Sequence, residues 1–152
     1  MSTSKTDLTV GGVALPVEAF PVVGERALMK EVLEAMTRHR IGVTCIVGPD
    51  NAFRGVFTDG DLRRLVLRSQ KPFAALLADD IGVHAQTECT TVAPGDSLVS
   101  ALQLMEGRRI WDLPVLDGGR LVGLLHLHPA IKALMCRQPR AREHPRRHSR
   151  PP

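Results

Sequence analysis

The order of hydrophobic and polar positions along the chain predicts alternating strands and helices. One amphipathic helix of about ten residues carries apolar side chains at three- and four-residue spacing, at Leu28, Val32, Leu33 and Met36. Two apolar runs, GVTCIV and GVF, follow it and are separated by a turn rich in Gly, Pro, Asp and Asn, which predicts two paired strands. An extended piece, AFPVV, precedes this helix, and a closing helix follows the strands. The segment therefore predicts a β-α-β-β-α unit.

The same unit occurs twice. Residues 36–47 and 105–116 align at a spacing of 69 residues, which matches Met36 to Met105 and Arg40 to Arg109. The second copy has the extended piece CTTVA and a helix with apolar residues at Leu98, Ala101, Leu102 and Met105. One copy has too little helix to cover its sheet, so we expect the two copies to pack face to face. The predicted fold is α/β, with two β-α-β-β-α repeats packed as a pseudo-twofold pair.

We expect five segments along the chain. A leader at residues 1–17 precedes the first repeat at 18–71, and a linker at 72–84 connects it to the second repeat at 85–136. Residues 137–152 are a tail with six Arg and one Glu, so the tail carries a charge of +5 and residues 1–136 carry −1. Because the tail is rich in Pro and Arg and lacks apolar periodicity, we predict that it is disordered. A solvated extension and a phosphate-seeking arm are both open as its role.

Composition narrows the class of protein. With no Tyr, one Trp and four Phe, the body of the chain offers no aromatic platform for single-stranded nucleic acid, so a nucleic-acid partner is not expected. The three cysteines, Cys45, Cys89 and Cys136, lack C-x-x-C spacing, which indicates reduced thiols. The start, MSTSKTDLTVGG, lacks the apolar core of a signal peptide, and no run reaches the roughly 18 apolar residues of a membrane span. We therefore expect a soluble cytoplasmic protein without a membrane partner.

The stretch 55-GVFTDGDLRRLV-66 places a hydroxyl and two acids at a strand-to-helix turn. Gly55, two apolar residues, Thr58, two further residues and Asp61 match the signature of the cystathionine-β-synthase (CBS) domain family. Together with the repeat, this motif makes the chain resemble a tandem CBS pair, the Bateman module.

A narrower resemblance points to one group of CBS proteins. The stretches MTRHRIGVTCIV, FRGVFTDGDLRRLV and GRLVGLLHLHPAI, and the leader LTVGGVALPV, are similar to the C-terminal half of arabinose 5-phosphate isomerases. The resemblance covers residues 7–136. In that family the chemistry resides in an N-terminal sugar isomerase domain, and this chain begins where that domain would have ended. We therefore expect the regulatory half alone, without catalytic residues.

The resemblance implies that an adenosine-type nucleotide, such as AMP, ADP or ATP, binds in the cleft between the repeats, and it implies no resident cofactor. An ionised Asp61 is suited to accept hydrogen bonds from the two ribose hydroxyls. Thr58 can offer its hydroxyl and N–H to a phosphate oxygen near the helix start, and Gly55 permits close approach of a ligand. By resemblance, the wall and backbone contacts for the base come from Val43, Thr44, Cys45 and Ile46. Further candidate contacts are Asp59, Arg64 and His126.

Other interpretations of this turn remain open. Thr58-x-x-Asp61 is also a capping pattern, in which both side chains satisfy backbone donors at a helix start. Of Arg63 and Arg64 we expect at most one to face the cleft, because consecutive helical residues point about 100° apart. Calcium is not expected, since the loop lacks the alternating acids and distal Glu of an EF-hand.

The second turn departs from the motif. His126 stands at the Thr position and Pro129 at the Asp position, where it offers neither an acceptor side chain nor an N–H. We therefore predict at most one nucleotide per pair of repeats, bound at the first turn. His126 and His128 alternate along a predicted extended segment, so they are a weak candidate metal pair, with His84 as a loose third ligand. Trp111 is expected to pack in the core, with the cleft or a dimer face as the alternative.

Three functions follow from these features. The first is a non-catalytic sensor that binds a nucleotide or nucleotide-sugar and signals through dimerisation or a partner enzyme. The second is a structural oligomerisation module with a vestigial site, and the third is the regulatory part of a split arabinose 5-phosphate isomerase. For a homodimer, we expect the apolar contacts to come from Leu65, Val66, Ile131 and Leu134.

Overall fold

A computed structural model describes residues 8–136 of the 152-residue chain. The first repeat contains β1 (Val22–Gly24), α1 (Met29–His39), β2 (Val43–Val47), β3 (Phe53–Thr58) and α2 (Asp59–Arg68). A short helix, α3 (Phe73–Leu76), follows, and the second repeat contains α4 (Leu98–Arg108), β4 (Asp112–Asp117), β5 (Arg120–His126) and α5 (Leu127–Met135). The predicted mixed α/β repeat is confirmed, whereas α3 was not anticipated. The predicted disordered tail lies outside the described residues.

The first helices of the two repeats match closely. Helix α1 buries Met29, Val32, Ala35 and Met36, and α4 buries Leu98, Ala101 and Met105, so both present an apolar stripe at helical spacing. Each helix ends at an arginine in the left-handed conformation, Arg40 with φ 54° and Arg109 with φ 53°. The N–H of each of these arginines closes the last turn by donating to helix carbonyls. The repeated sequence therefore specifies both the buried stripe and the helix end.

The two sheets differ at their first strand. In the first repeat β1 pairs in parallel with β2, and β2 pairs antiparallel with β3. In the second repeat β4 and β5 form an antiparallel hairpin, but the predicted strand CTTVA is reduced to one parallel bridge between Val92 and Val115. Pro94 follows closely and has no N–H to continue the ladder. The short extended piece predicted at CTTVA therefore pairs in parallel as β1 does, but through a single bridge.

The leader and the linker each complete a repeat. The Leu98 N–H donates to the Leu8 carbonyl at 2.8 Å, and Leu15 pairs with Leu124 of β5, so the leader packs on the second repeat. The linker packs on the first repeat, where the Met29 N–H donates to the Asp79 carbonyl at 2.9 Å. Both segments therefore belong to the folded units rather than acting as plain connectors.

Three apolar clusters form the core. One lies under the helices of the first repeat and includes Met29 and Phe57, and a second lies under those of the second repeat and includes Met105 and Leu125. The third cluster joins the repeats, with residues of β2 and β3 packed against residues of β5. This shared cluster holds the two sheets in a fixed arrangement, which determines the walls of the cleft between them. No helix within residues 8–136 is long and apolar enough to cross a membrane.

Candidate functional site

A cleft of about 1040 Å³ opens between the two repeats. The start of α2, the start of β2 and the end of β3 form one wall, and the end of α4 with residues 110–112 forms the other. Residues 86 and 88–90, which enter the second repeat, also line the cleft. Volumes of this size are typical of small-molecule sites. We call this space the inter-repeat cleft.

The first turn begins α2 with a reciprocal cap. The Asp61 N–H donates to Thr58 Oγ1 at 3.2 Å, and the Thr58 N–H donates to Asp61 Oδ2 at 2.9 Å. Two backbone donors at the helix start are thereby satisfied. The capping interpretation of this turn is confirmed.

The Asp61 carboxylate has two further partners. Its Oδ1 accepts from Arg64 Nη2 at 2.7 Å and from Gln86 Nε2 at 2.7 Å. The Asp61 side chain is only 8% exposed, so these donors compensate a charge that is largely removed from water. Gln86 was missed at the sequence level because it lies 25 residues away in the chain. Any ligand hydroxyl that uses Asp61 must share or replace one of these bonds.

The structure brings six of the ten predicted site residues to the inter-repeat cleft. These six residues are Val43, Thr58, Asp59, Asp61, Arg64 and His126. The other four are not among the residues that line the cleft: Thr44, Cys45, Ile46 and Gly55. The physical reason is that β2 is buried on both faces from Val43 to Ile46, so only its first residue reaches the cleft.

The four remaining residues have structural environments instead. Cys45 lies in the cluster that joins the repeats, where burial raises the pKa of its thiol, and Ile46 lies in the core of the first repeat. The Thr44 hydroxyl is buried without a hydrogen-bond partner in residues 8–136. Gly55 is approached by the backbone of Gln86 rather than left open to a ligand, since an added Cβ would lie 2.4 Å from the Gln86 carbonyl oxygen.

The second turn holds a different polar pair. His126 makes no side-chain cap at the start of α5, and its Nδ1 lies 2.6 Å from Asp112 Oδ1. Burial raises the pKa of Asp112, and the hydrogen bond and charge of His126 oppose that shift. His128 is exposed within α5, so the two histidines do not share an extended segment as predicted, because the helix already begins at Leu127. His84 bonds to Asp79 instead, at 2.9 Å.

Arginines from both repeats line the cleft. Arg63 and Arg64 do so at the start of α2, and Arg108 and Arg109 at the end of α4. The expectation that at most one of Arg63 and Arg64 faces the cleft was wrong, because both line it, with Arg64 turned back to donate to Asp61. These cations favour an anionic ligand.

Trp111 lines the same cleft. Its side chain is 68% exposed, so the expectation of core packing was wrong. The position lies at the entry to β4, before the buried part of that strand begins at Leu113. Within residues 8–136 no group of three or more His, Cys, Asp or Glu side chains is arranged to hold a metal ion.

Comparison with known proteins identifies the class that this fold defines. The sequence model of the CBS domain family matches residues 10–68 and again residues 78–135. The chain therefore belongs to the CBS domain family and contains a tandem pair.

The matched curated relatives include arabinose 5-phosphate isomerases. The chain is 34% identical over 119 residues to the isomerase KdsD of Escherichia coli (strain K12). The aligned region covers 76% of this chain and 34% of the relative. KdsD of Yersinia pestis is 35% identical over 117 residues, with 75% and 34% covered. The chain thus spans about a third of the length of these relatives, and the matched region is the CBS pair.

Solved structures share the fold. One is CBSX2 in complex with AMP, with a TM-score of 0.74 and 23% identity over 84% of this chain and 96% of that one. A CBS domain pair/ACT domain protein from Thermotoga maritima has a TM-score of 0.67 and 26% identity, covering 84% and 97% of the two chains.

Proposed function

We propose that this protein is a non-catalytic regulatory CBS pair that binds an adenosine-type nucleotide or nucleotide-sugar in the inter-repeat cleft. The observation that carries the proposal is the buried Asp61 carboxylate, which stands at a helix start in a cleft lined by four arginines. A carboxylate accepts ribose hydroxyls, and arginines bind phosphate. The AMP bound by the structurally similar CBSX2 supports the choice of ligand. The proposed setting is the cytoplasm.

Binding would change the partners of Asp61. Its Oδ1 accepts from both Arg64 and Gln86, so a ribose hydroxyl would replace at least one of these donors. Arg64 is the donor that a ligand can displace into solvent, since its side chain is 55% exposed, and once released it can turn to a phosphate. Gln86 is fixed through its backbone, which exchanges two hydrogen bonds with Val56. Ligand binding would therefore change the side-chain contacts of the segment that enters the second repeat, through Gln86.

The proposed output is dimerisation or contact with a partner enzyme. Large apolar side chains are exposed on α2 and α5, the helices that follow the two turns: Val66, Leu67, Ile131 and Met135. Leu65, which was expected to contribute, is 7% exposed and belongs to the core of the first repeat, and Leu134 is half-buried. A dimer surface would therefore use the exposed residues Val66 and Leu67 of α2 and Ile131 and Met135 of α5.

A thermal-shift screen tests the proposal. The parent protein is measured with AMP, ADP, ATP, S-adenosylmethionine and cytidine nucleotides, because a ligand at about 100 times its Kd stabilises a protein by roughly 2.7 kcal/mol. Asp61→Asn is compared with the parent, each against its own ligand-free Tm, since this change keeps the side-chain volume. We expect a shift in the parent that is lost in the variant. No shift with any nucleotide would refute nucleotide sensing.

Two other functions have specific support. Donors from Thr58, Arg64 and Gln86 satisfy both oxygens of Asp61, as a vestigial site in an oligomerisation module would require. The match to the CBS region of KdsD supports the regulatory part of a split isomerase. Concentration-dependent dimerisation that no nucleotide affects would favour the first alternative. Altered isomerase activity of a separate sugar isomerase chain on mixing would favour the second.

A further inference from the structure

The two walls of the inter-repeat cleft differ at a pair of adjacent positions. At the 69-residue spacing of the repeat, Gly42 matches Trp111 and Val43 matches Asp112, and all four residues line the cleft. An added Cβ at Gly42 would lie 2.6 Å from Asp59 Oδ2, so the side chain of Asp59 occupies the space beside Gly42 on that wall. The first repeat therefore presents the Asp59 carboxylate at this place, whereas the second repeat presents an aromatic ring with an acid on the next residue of the chain.

Trp111 is a flat apolar surface left open to the ligand space. Its side chain is 68% exposed, although an indole contributes most to stability when it is buried. Nucleobases stack favourably on aromatic side chains, and any base can do so because every base has a π-face. An exposed indole inside a cleft lined by arginines thus has the properties of a base platform.

Asp112 adds a directional acceptor beside this platform. Its side chain is 16% exposed, and its Oδ1 is occupied by His126 Nδ1 at 2.6 Å. Because an ionised carboxylate only accepts, this bond places the proton on Nδ1 and fixes the carboxylate orientation. No residue in the described part of the chain donates to Asp112 Oδ2. The exocyclic amino group of a base is a suitable donor, as in the pairing of acidic side chains with the cytosine amine.

We propose that Trp111 and Asp112 form a base-recognition subsite, in which an amino-bearing base stacks on the indole and donates its exocyclic N–H to Asp112. Adenine and cytosine have this amino group, whereas hypoxanthine and uracil present a keto oxygen that the carboxylate repels. His126 acts as the positioning residue for Asp112. This inference rests on the proposed nucleotide binding and adds selection of the base by the second repeat.

The single Trp of the chain makes the subsite directly observable. Matched pairs of nucleotides, AMP with IMP and CMP with UMP, are titrated against intrinsic fluorescence and by calorimetry, with ribose 5-phosphate as the ligand without a base. We expect the amino member of a pair to quench Trp111 and to bind at least roughly tenfold more tightly than its keto partner, the size of one hydrogen bond to a charged group. Ribose 5-phosphate should leave the emission unchanged.

Asp112→Asn sharpens the test. With His126 still donating to the side-chain oxygen, the new amide NH₂ would face the base, so the preference should move toward the keto member of each pair. Asp117→Asn, the same change at the exposed end of β4, is the control and should leave the preference unchanged. Circular dichroism and the ligand-free Tm establish that both variants fold.

The outcomes separate this inference from the proposed function. Nucleotide binding with equal affinity for AMP and IMP, or without any change in Trp111 emission, would overturn the subsite and leave the nucleotide sensor intact. An unchanged preference in a folded Asp112→Asn protein would also overturn it. If none of the nucleotides binds, both the sensor and the subsite are refuted.

Discussion

At the start of α2, Thr58 and Asp61 cap each other, whereas at the start of α5 the equivalent His126 makes no cap and bonds to Asp112 at 2.6 Å. Pro129 stands where the first repeat has Asp61, and it lacks the N–H that a capping side chain would accept from. The second turn nevertheless keeps an acid in the cleft, because Asp112 stands at the strand position that Val43 occupies in the first repeat.

This difference separates what the duplicated backbone requires from what the cleft requires. Both turns retain the strand-to-helix path, since the helix start depends on backbone geometry and on the apolar stripe that follows. The polar side chains have moved to different elements, a helix in the first repeat and a strand in the second. A duplicated pair can therefore hold two unlike half-sites on matched backbones, and matched substitutions reveal which residues serve the fold and which the site.

The largest loss of stability is expected from substitutions where a strand of each repeat packs against a backbone segment from elsewhere in the chain. An added Cβ would lie 2.4 Å from the Gln86 carbonyl oxygen at Gly55 and 2.8 Å from the Leu15 carbonyl oxygen at the equivalent Gly123. Because backbone moves less easily than a side-chain tip, Gly55→Ala should destabilise by about 3 kcal/mol or more, and Gly123→Ala by about 1–3 kcal/mol.

Urea unfolding measures both changes. Gly95→Ala is the control, since nothing lies within 4 Å of an added Cβ there, and it should stay within about 0.5 kcal/mol of the parent. Equal stability of all three variants would contradict the close packing of the leader and the linker-end segment on the two strands.

An intermediate effect of opposite sign is expected at Thr44. Its hydroxyl is buried without a partner in the described residues, whereas the matched Leu113 of the second repeat is fully apolar and buried. Thr44→Val removes the unsatisfied group at nearly constant volume, so the free energy of unfolding should rise by about 1–2 kcal/mol.

Thermal and urea unfolding check this gain against Thr37→Val on the exposed face of α1. There the hydroxyl donates to the Leu33 carbonyl at 3.0 Å, and the change should be near zero. A loss of stability in Thr44→Val would indicate that the hydroxyl has a partner, such as a buried water.

The smallest effects concern pH and have opposite signs at two acids. Hydrogen bonds from Lys71 and His84 lower the pKa of Asp79 from its ordinary 3.8, so its contribution is present above about pH 4 and is lost as pH falls through the lowered value. Burial raises the pKa of Asp112, so the folded state holds that proton more tightly. Its contribution is therefore present below about pH 4 and is lost as pH rises through the raised value.

Denaturation curves between acidic and neutral pH measure both slopes. Asp79→Asn should flatten the rise of the unfolding free energy with pH at the acid end, and Asp112→Asn should flatten the decline above it. If the two variants changed the pH profile of stability in the same direction, either the lowered pKa of Asp79 or the raised pKa of Asp112 would be contradicted.

Much of the fold follows from local features of the sequence. Helices α1 and α4 are predicted by apolar residues at helical spacing, and their repetition predicts the pair of units. The first turn is also predictable, because Thr58 and Asp61 are three residues apart and cap within one helical turn. Such features depend on neighbours within a few residues, so the sequence displays them directly.

The rest of the site depends on contacts between distant residues. Gln86 reaches Asp61 across 25 positions, and His126 reaches Asp112 across 14. The candidate wall residues Thr44, Cys45 and Ile46 do not line the cleft because β2 is buried on both faces: Cys45 packs in the cluster that joins the repeats, and Ile46 packs in the core of the first repeat. The exposure of Trp111 was also missed, because the residues next to an aromatic side chain in the sequence do not show whether it lies in the core or at the surface.

The sequence by itself determined the duplication, the helices with their buried stripes and the capped turn, since each follows from periodicity or from side chains a few residues apart. Only the tertiary structure decided that the leader completes the second repeat, that the linker completes the first, and that Asp112, Trp111 and Gln86 share a cleft with Asp61. The physical reason is that packing of the two sheets brings together residues that local periodicity cannot relate.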